Sequence, residues 1–358
     1  MDEGPLLPML MLSVLLAGMV LVPLEPEEAP ARLALMLSEL KPSAVVVRDD
    51  AARERLLAAA GVGASEVLTV DQVVSPGIAA AEGAVLRVQG AGSPAAESKL
   101  PMGDEVQAEQ ISHVCFTSGS SGRPKGCIVS HGALQAYCEA KIREFRVDVS
   151  SRVFLASPPS FDPALGDVVS TWSAGACLVV APKRMVLGQL YQCLVASQTT
   201  HILTTPSLWS SVTPPPQVSG MHALRVIGLG GEVMSTAIID FWGALPDTRL
   251  LNVYGVTECA VYNTAWQVKH SKDSRCIGSS IGENRLLIVR GEADGEKMEA
   301  GQRQGEGGKA SRDGDSELEV LWDSCHPHAA SDSESVQGEL VIVGRQVGER
   351  YLNRPQLS

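Results

Sequence analysis

The chain has 358 residues, 45% of them hydrophobic and 20% charged. That length allows two or three domain-sized units, and the balance excludes a wholly disordered chain. Twenty-nine Lys and Arg stand against 41 Asp and Glu, a net charge of −12, so bulk attraction for nucleic acid or anionic lipid is excluded and any bound anion needs a local site.

Aromatic residues are only 4%, too few for a base-stacking platform, and the 34 glycines lack the three-residue period of collagen. The run Leu6 to Leu24 is apolar and near membrane-spanning length, but it follows Asp2 and Glu3 and is interrupted by Pro8, Gly18 and Pro23. It predicts a buried helix to about Ala17, a turn at Gly18 and a buried strand Val20–Val22; a membrane or signal segment is the alternative. Pro30 to Leu40 predicts a helix with proline at its start. Ala44–Val47 predicts a short buried strand, Ala51–Ala60 a helix, Val67–Val70 a strand, and Gly90–Ser98 a loop. This alternation points to a parallel α/β sheet.

His113–Phe116 predicts a strand running into a Gly/Ser-rich loop. Further along come a helix at Gly132–Phe145, strands at Val153–Ala156 and Cys177–Ala181, and a helix at Val186–Ala196. Next are a strand at Ile202–Thr204, a proline turn at Thr213–Gln217 and a strand at Leu224–Leu229 ending in Gly230-Gly231. A helix at Ser235–Trp242 and a strand at Leu250–Val253 complete the series. Gly291 to Glu317 holds no Leu, Ile, Val or aromatic residue. It cannot bury enough apolar surface to offset ordering, so 291–337 is expected to be a mostly disordered insertion, broken briefly at Leu318–Trp322. The expected organisation is an α/β core over 1–290, that insertion, and the start of a β-rich subdomain over 338–358, opened by a strand at Gly338–Val343. The eight cysteines include no CxxC, and the nearest pair, Cys127 and Cys138, is eleven apart. Neither a zinc knuckle nor a disulfide framework is expected, and a reducing, cytoplasmic setting is.

The strongest chemical signal is Thr117-Ser118-Gly119-Ser120-Ser121-Gly122-Arg123-Pro124-Lys125-Gly126. Gly119, Gly122 and Gly126 permit positive φ and close approach to a ligand. Four hydroxyls and exposed backbone N–H groups make an anion nest, and Lys125 adds a positive charge, which suits a polyphosphate. The loop is not of the Walker type, because Gly126 follows Lys125. A plain Ser/Gly linker is the alternative.

FTSGSSGRPKG resembles the phosphate-loop signature of the adenylate-forming superfamily, which includes acyl-CoA synthetases, luciferases and peptide-synthetase adenylation domains. Four further stretches match in order: Val22–Leu37 (VPLEPEEAPARLALML), Gly230-Gly231-Glu232, Asn252–Glu258 (NVYGVTE, with Val256 where proline is common) and Gly338–Ser358 (GELVIVGRQVGERYLNRPQLS). Phe154–Pro158 with Phe161-Asp162-Pro163 looks most like the β-alanine-activating, aminoadipate-semialdehyde-dehydrogenase-like branch, itself similar to peptide-synthetase adenylation domains.

The resemblance implies an adenylate-forming core of stacked, mostly parallel sheets flanked by helices. It implies an acid–thiol ligase that uses ATP and Mg²⁺ to activate a small carboxylic or amino acid. A phosphopantetheine thiol, on CoA or a carrier-protein domain, would accept the acyl group. Thr117, Ser118, Gly119, Ser120, Ser121, Gly122 and Lys125 would cradle phosphate. Gly230, Gly231, Glu232, Asn252, Tyr254 and Gly255 would contact the nucleoside, with the Tyr254 ring on adenine. Thr257 would bond the α-phosphate, Thr117 and Glu258 would hold Mg²⁺, and Lys125, Thr257 and Glu258 would be the catalytic set. Phe161 and Asp162 would bind substrate, Asp162 taking its ammonium.

Each residue also has a structural alternative: Tyr254 as a core tyrosine, Glu258 as a helix-start carboxylate, Gly230-Gly231 as a plain turn, Asp162 as a helix cap. The family's ribose-binding aspartate and catalytic lysine would lie beyond Ser358, so the chain is expected to be a piece clipped at both ends that forms little acyl-adenylate. Neither nucleic acid nor membrane is an expected partner. An acyl-CoA synthetase for an acid without an amine, and an inactive nucleotide-binding fragment, are the rival functions.

Overall fold

The structure is a computed structural model that describes residues 4–25, 27–60, 67–73, 106–118, 123–212, 223–290, 319–323 and 337–357. Its centre is a seven-stranded sheet. Five strands are parallel: β6 (Cys177–Val179), β5 (Arg152–Leu155), β7 (His201–Thr204), β8 (Val226–Gly230) and β9 (Arg249–Tyr254). The central β7 and β8 are short apolar runs buried on both faces, as strands covered by helices on either side must be, whereas the edge strand β6 is half-buried. Two antiparallel strands, β10 (Thr264–Gln267) and β11 (Ser279–Ser280), extend the sheet beyond β9.

The helices follow from local signals. Helix α2 (Pro30–Leu40) starts on its proline and ends at Lys41, which takes φ 48°. Helix α5 (His131–Phe145) is capped by Ser130, whose hydroxyl accepts the Ala133 N–H at 3.4 Å. Helix α6 (Asp162–Ser173) packs beside it on one face of the sheet. Met11 and Leu15 of α1 (Leu6–Leu16) join the core under these helices, with Tyr137, Leu165 and Leu203. On the opposite face α7 (Lys183–Gly188), α8 (Leu190–Ala196), α9 (Pro206–Trp209) and α10 (Thr236–Trp242) enclose Phe154, Ile202, Ile227, Trp209 and Trp242. A buried ion pair, Lys141 with Asp167, ties α5 to α6. Burial raises the Asp167 carboxyl, and the Lys141 ammonium opposes that rise.

A second, antiparallel sheet has the order β15 (Arg350–Tyr351), β4 (Lys125–Ser130), β3 (Ile111–Thr117). A third pairs β12 (Arg285–Arg290) with β13 (Glu319–Asp323) and β14 (Glu339–Val343), so it draws on both sides of position 290. A two-stranded parallel unit, β1 (Val45–Val47) and β2 (Val67–Thr69), packs on α2 and α3 (Asp50–Ala60).

The structure corrects several expectations. The Val20–Val22 strand reduces to one bridge, Leu21 to His113, and Met19 and Val20 are exposed because no second strand covers them. β1 is half-covered, since helices pack on one face only and Val46 points away. β2 stops at Thr69, and Val70 opens the short helix α4 (Val70–Val73). The helix expected over Val186–Ala196 is two, broken at Gln189 (φ −144°, ψ 35°). Beyond Val253, within the expected core, β10, β11 and β12 follow. The expected loop at 90–98, the proline turn at 213–217 and nearly all of 291–337 lie outside the described residues. Among the described residues no helix is long and apolar enough to cross a membrane.

Candidate active site

The β3–β4 hairpin sets the site's position. Thr117 and Lys125 are cross-strand partners at its loop end, where the Gly/Ser segment joins the two strands. Ser118 is exposed. Residues 119–122, which hold Gly119, Ser120, Ser121 and Gly122, lie outside the described residues. Lys125 is half-buried, and its ammonium sits 5.5 Å from the centre of the Tyr351 ring. Arg123, by contrast, is exposed and pairs with Glu39 at 3.6 Å. A Cβ on Gly126 would press on Val114 and Leu352, so strand packing alone calls for glycine there.

The turn after β9 brings up the second group. Thr257–Cys259 form a single 3₁₀ turn, and Ala260 and Val261 follow at φ 50° and 75°. Positive φ at a β-branched residue is costly and is held here by its surroundings. Glu258 Oε1 accepts the Tyr351 hydroxyl at 2.7 Å. Cys127 lies beside both metal candidates: its thiol is 3.9 Å from the Thr117 hydroxyl and within the field of the Glu258 carboxylate. Burial first, and then the Glu258 charge, push that thiol up to about 12, so it stays protonated. Thr117 and Glu258 therefore share one neighbour and offer hard oxygen donors, a hydroxyl and one carboxylate. Mg²⁺ bound largely through substrate phosphates asks for such a set, so these residues fit it.

Asp162 is the most unusual carboxylate in the site. It is the first residue of α6, yet the helix has no side-chain cap, so the cap alternative does not describe it. It is only 6% exposed, and its Oδ2 has no hydrogen-bond partner. Burial pushes its carboxyl up to about 6, against the Thr257 hydroxyl and the Val261 N–H, which lower it. A buried carboxylate oxygen without a donor is costly, and a cation placed beside it would relieve that cost. Phe161, 61% exposed, stands at the rim.

The remaining candidates divide. Tyr254 ends β9 with 37% of its surface exposed, so it is not a core tyrosine, and its ring is open to stacking. Gly231 turns at φ 82° into open space, and a Cβ on Gly230 would lie 2.6 Å from the Tyr262 ring. Gly255 packs flat on the backbone of Val261 and Tyr262. The side chains of Glu232 and Asn252 are engaged elsewhere. Glu232 accepts the Ser207 N–H at 3.0 Å and its hydroxyl, and Asn252 donates to the Cys276 carbonyl at 2.7 Å. Sequence reasoning gave no role to Tyr351, although it lies within the matched GERYLNRP stretch. It also missed Cys127 and the Ala260-Val261 turn, for which no local pattern gives a signal.

Comparison with known proteins identifies the family and the fold. The family model described as AMP-binding enzyme matches residues 1–307. Indigoidine synthase of Dickeya dadantii is 30% identical over 286 residues, 77% of this chain and 18% of that protein. Nonribosomal peptide synthetase ungA' of Aspergillus campestris is 30% identical over 284 residues, 79% of this chain and 3% of that protein. The chain thus spans a small part of the length of these relatives. Among solved structures, the N-terminal subdomain of Klebsiella oxytoca NpsA, in complex with 3-hydroxybenzoyl-AMSN, superposes with a TM-score of 0.69 at 16% identity, over 99% of this chain and 76% of that one. The four-domain nonribosomal peptide synthetase AB3403, bound to AMP and glycine, gives 0.68 at 19% identity, over 99% and 22%. At such identities the structural likeness establishes the fold.

Proposed function

The chain belongs to the AMP-binding enzyme family, and from that premise we propose that it takes part in activating an amino acid, β-alanine being the leading candidate, as an acyl-adenylate. The observation that carries the reading is Asp162, a buried carboxylate with an orphaned oxygen beside Thr257 and within the field of Glu258. An acid without an amine would leave that oxygen unpaired. Relatives include nonribosomal peptide synthetases, which supports amino-acid substrates and a carrier-bound phosphopantetheine thiol as acceptor.

The reaction is in-line. One oxygen of the substrate carboxylate attacks the α-phosphorus of ATP, and the bond to the bridging oxygen breaks to release pyrophosphate. No general base is required, because the attacking group is already ionised at neutral pH. Asp162 holds the ammonium and so aims the carboxylate. Lys125 and the amides of its loop stabilise charge on the phosphates. Thr257 would turn its hydroxyl proton from Asp162, whose carboxylate then has the substrate ammonium as partner, to the α-phosphate, and the Tyr254 ring stacks on adenine. Thr117 and Glu258 would hold Mg²⁺, which supplies further positive charge against the phosphates.

Lys125→Ala is expected to weaken ATP binding in the presence of Mg²⁺ about ten- to hundred-fold, the worth of one charged hydrogen bond at about 1.5–3 kcal/mol. Arg123→Ala should change it far less, since Arg123 is exposed and occupied by Glu39. Titration calorimetry of the two variants checks this. Equal affinity in wild type and Lys125→Ala would refute the phosphate-loop assignment. A substrate panel in ATP–pyrophosphate exchange tests the class: amino acids should outperform their deaminated counterparts.

A further inference from the structure

The Tyr351 side chain makes two contacts that join halves of the site lying far apart in the chain. Its hydroxyl donates to Glu258 Oε1 at 2.7 Å, and its ring lies 5.5 Å from the Lys125 ammonium. The short strand that carries it is fixed on both sides. β15 pairs with β4, the strand that begins at Lys125, through Tyr351 opposite Cys127. The Leu352 N–H donates to the Gly126 carbonyl at 2.8 Å, and the Gly348 N–H to the Glu258 carbonyl at 2.7 Å. Arg354 donates to the Pro124 carbonyl at 2.9 Å and pairs with Glu39 at 3.5 Å, while Asn353 donates to the Glu39 carbonyl at 3.0 Å. Residues 348–354 therefore clasp the exit of the phosphate loop and the backbone of Glu258 together.

We propose that Tyr351 is a positioning residue that couples the phosphate-side cation to the metal-side carboxylate, its ring steadying Lys125 and its hydroxyl orienting Glu258. This rests on the assignment of Glu258 to Mg²⁺ given above. The physical logic separates the two contacts. A donor to a metal-binding carboxylate fixes which lone pairs face the metal, and removing such an outer partner typically lowers metal affinity about 10- to 100-fold. A ring beneath an ammonium limits where a flexible lysine side chain rests, and any flat aromatic ring serves that purpose. Tyr351→Phe removes the first contact and keeps the second. Tyr351→Leu removes both.

The test measures ATP affinity by calorimetry with Mg²⁺ and with chelator, for wild type, Tyr351→Phe, Tyr351→Leu and Glu258→Gln, after circular dichroism has confirmed that each variant is folded. Glu258→Gln should lose the Mg²⁺-dependent gain in affinity. Tyr351→Phe should lose about tenfold of that gain while its metal-free affinity stays within about twofold of wild type. Tyr351→Leu should lose metal-free affinity as well. If Glu258→Gln loses the gain but Tyr351→Phe keeps it, the coupling role of Tyr351 is overturned and the metal assignment stands. If Glu258→Gln keeps the gain, both are overturned. An unfolded Tyr351→Leu leaves the comparison of Tyr351→Phe with wild type to decide, because the phenylalanine variant alters no packing.

Discussion

Asp162→Asn is expected to lower kcat/KM for the amino acid about 30- to 5,000-fold while leaving ATP affinity within a few-fold of wild type. Loss of one partner from a desolvated charge pair costs about 2–5 kcal/mol, because the other charge is left buried and alone. Here the stranded charge would be the substrate's ammonium, against a carboxylate that is 6% exposed and has an unpaired Oδ2. The same residue sets a pH dependence. Burial pushes its carboxyl up to about 6. Below that pH it is protonated and neutral; above it, it is ionised and able to accept the ammonium. Amino-acid affinity should therefore rise as pH climbs through about 6 and level off above 7. ATP–pyrophosphate exchange from pH 5 to 8 should show that rise in wild type. A wild-type rate with Asp162→Asn would leave Asp162 without a substrate role.

The second large effect is on stability. Asp167→Ala should destabilise the fold by about 3–5 kcal/mol, because it leaves the Lys141 ammonium buried between α5 and α6 without a counter-charge. Asp167 also has an unpaired Oδ2, and the neighbouring Thr171 hydroxyl is orphaned as well, so the pair is not fully satisfied even in the native fold. The double variant Lys141→Met with Asp167→Leu should recover most of the loss, since a buried pair is often worth no more than apolar side chains of similar volume. Urea unfolding of the single and double variants distinguishes the outcomes. A single variant as stable as wild type would mean that water reaches the Lys141 ammonium.

Much of the helix and strand order was legible because it follows from local signals. Pro30 opens α2, Ser130 caps α5, Ser235 caps α10, and the apolar runs at Ile202 and Val226 are parallel strands. What escaped was set by partners distant in sequence. Leu21 lies in an apolar run but pairs at one residue only, since its neighbour strand engages it through Ser112 and Val114 alone. β10 is short, with exposed Trp266 and Gln267, and β11 is a two-residue edge strand, so they carry little apolar periodicity of their own. The site shows the same division. Thr117, Lys125, Asp162, Thr257 and Glu258 stand in motifs that name them, and the fold brings these segments together. Asn252 and Glu232 stand in motifs too, yet their side chains serve Cys276 and Ser207. The contact of Tyr351 with Glu258 spans 93 positions and follows only from β15 pairing with β4.

In the proposed function one site holds an adenylate and an ammonium together. Two hydrolysis-resistant ligands differ only in that ammonium: β-alanyl-sulfamoyladenosine and propionyl-sulfamoyladenosine. Calorimetric affinities for the pair test the claim without requiring turnover. The β-alanyl compound should bind about ten- to hundred-fold tighter, and Asp162→Asn should erase the difference without weakening the propionyl compound. Equal or tighter binding of the propionyl compound by the wild type would contradict the claim.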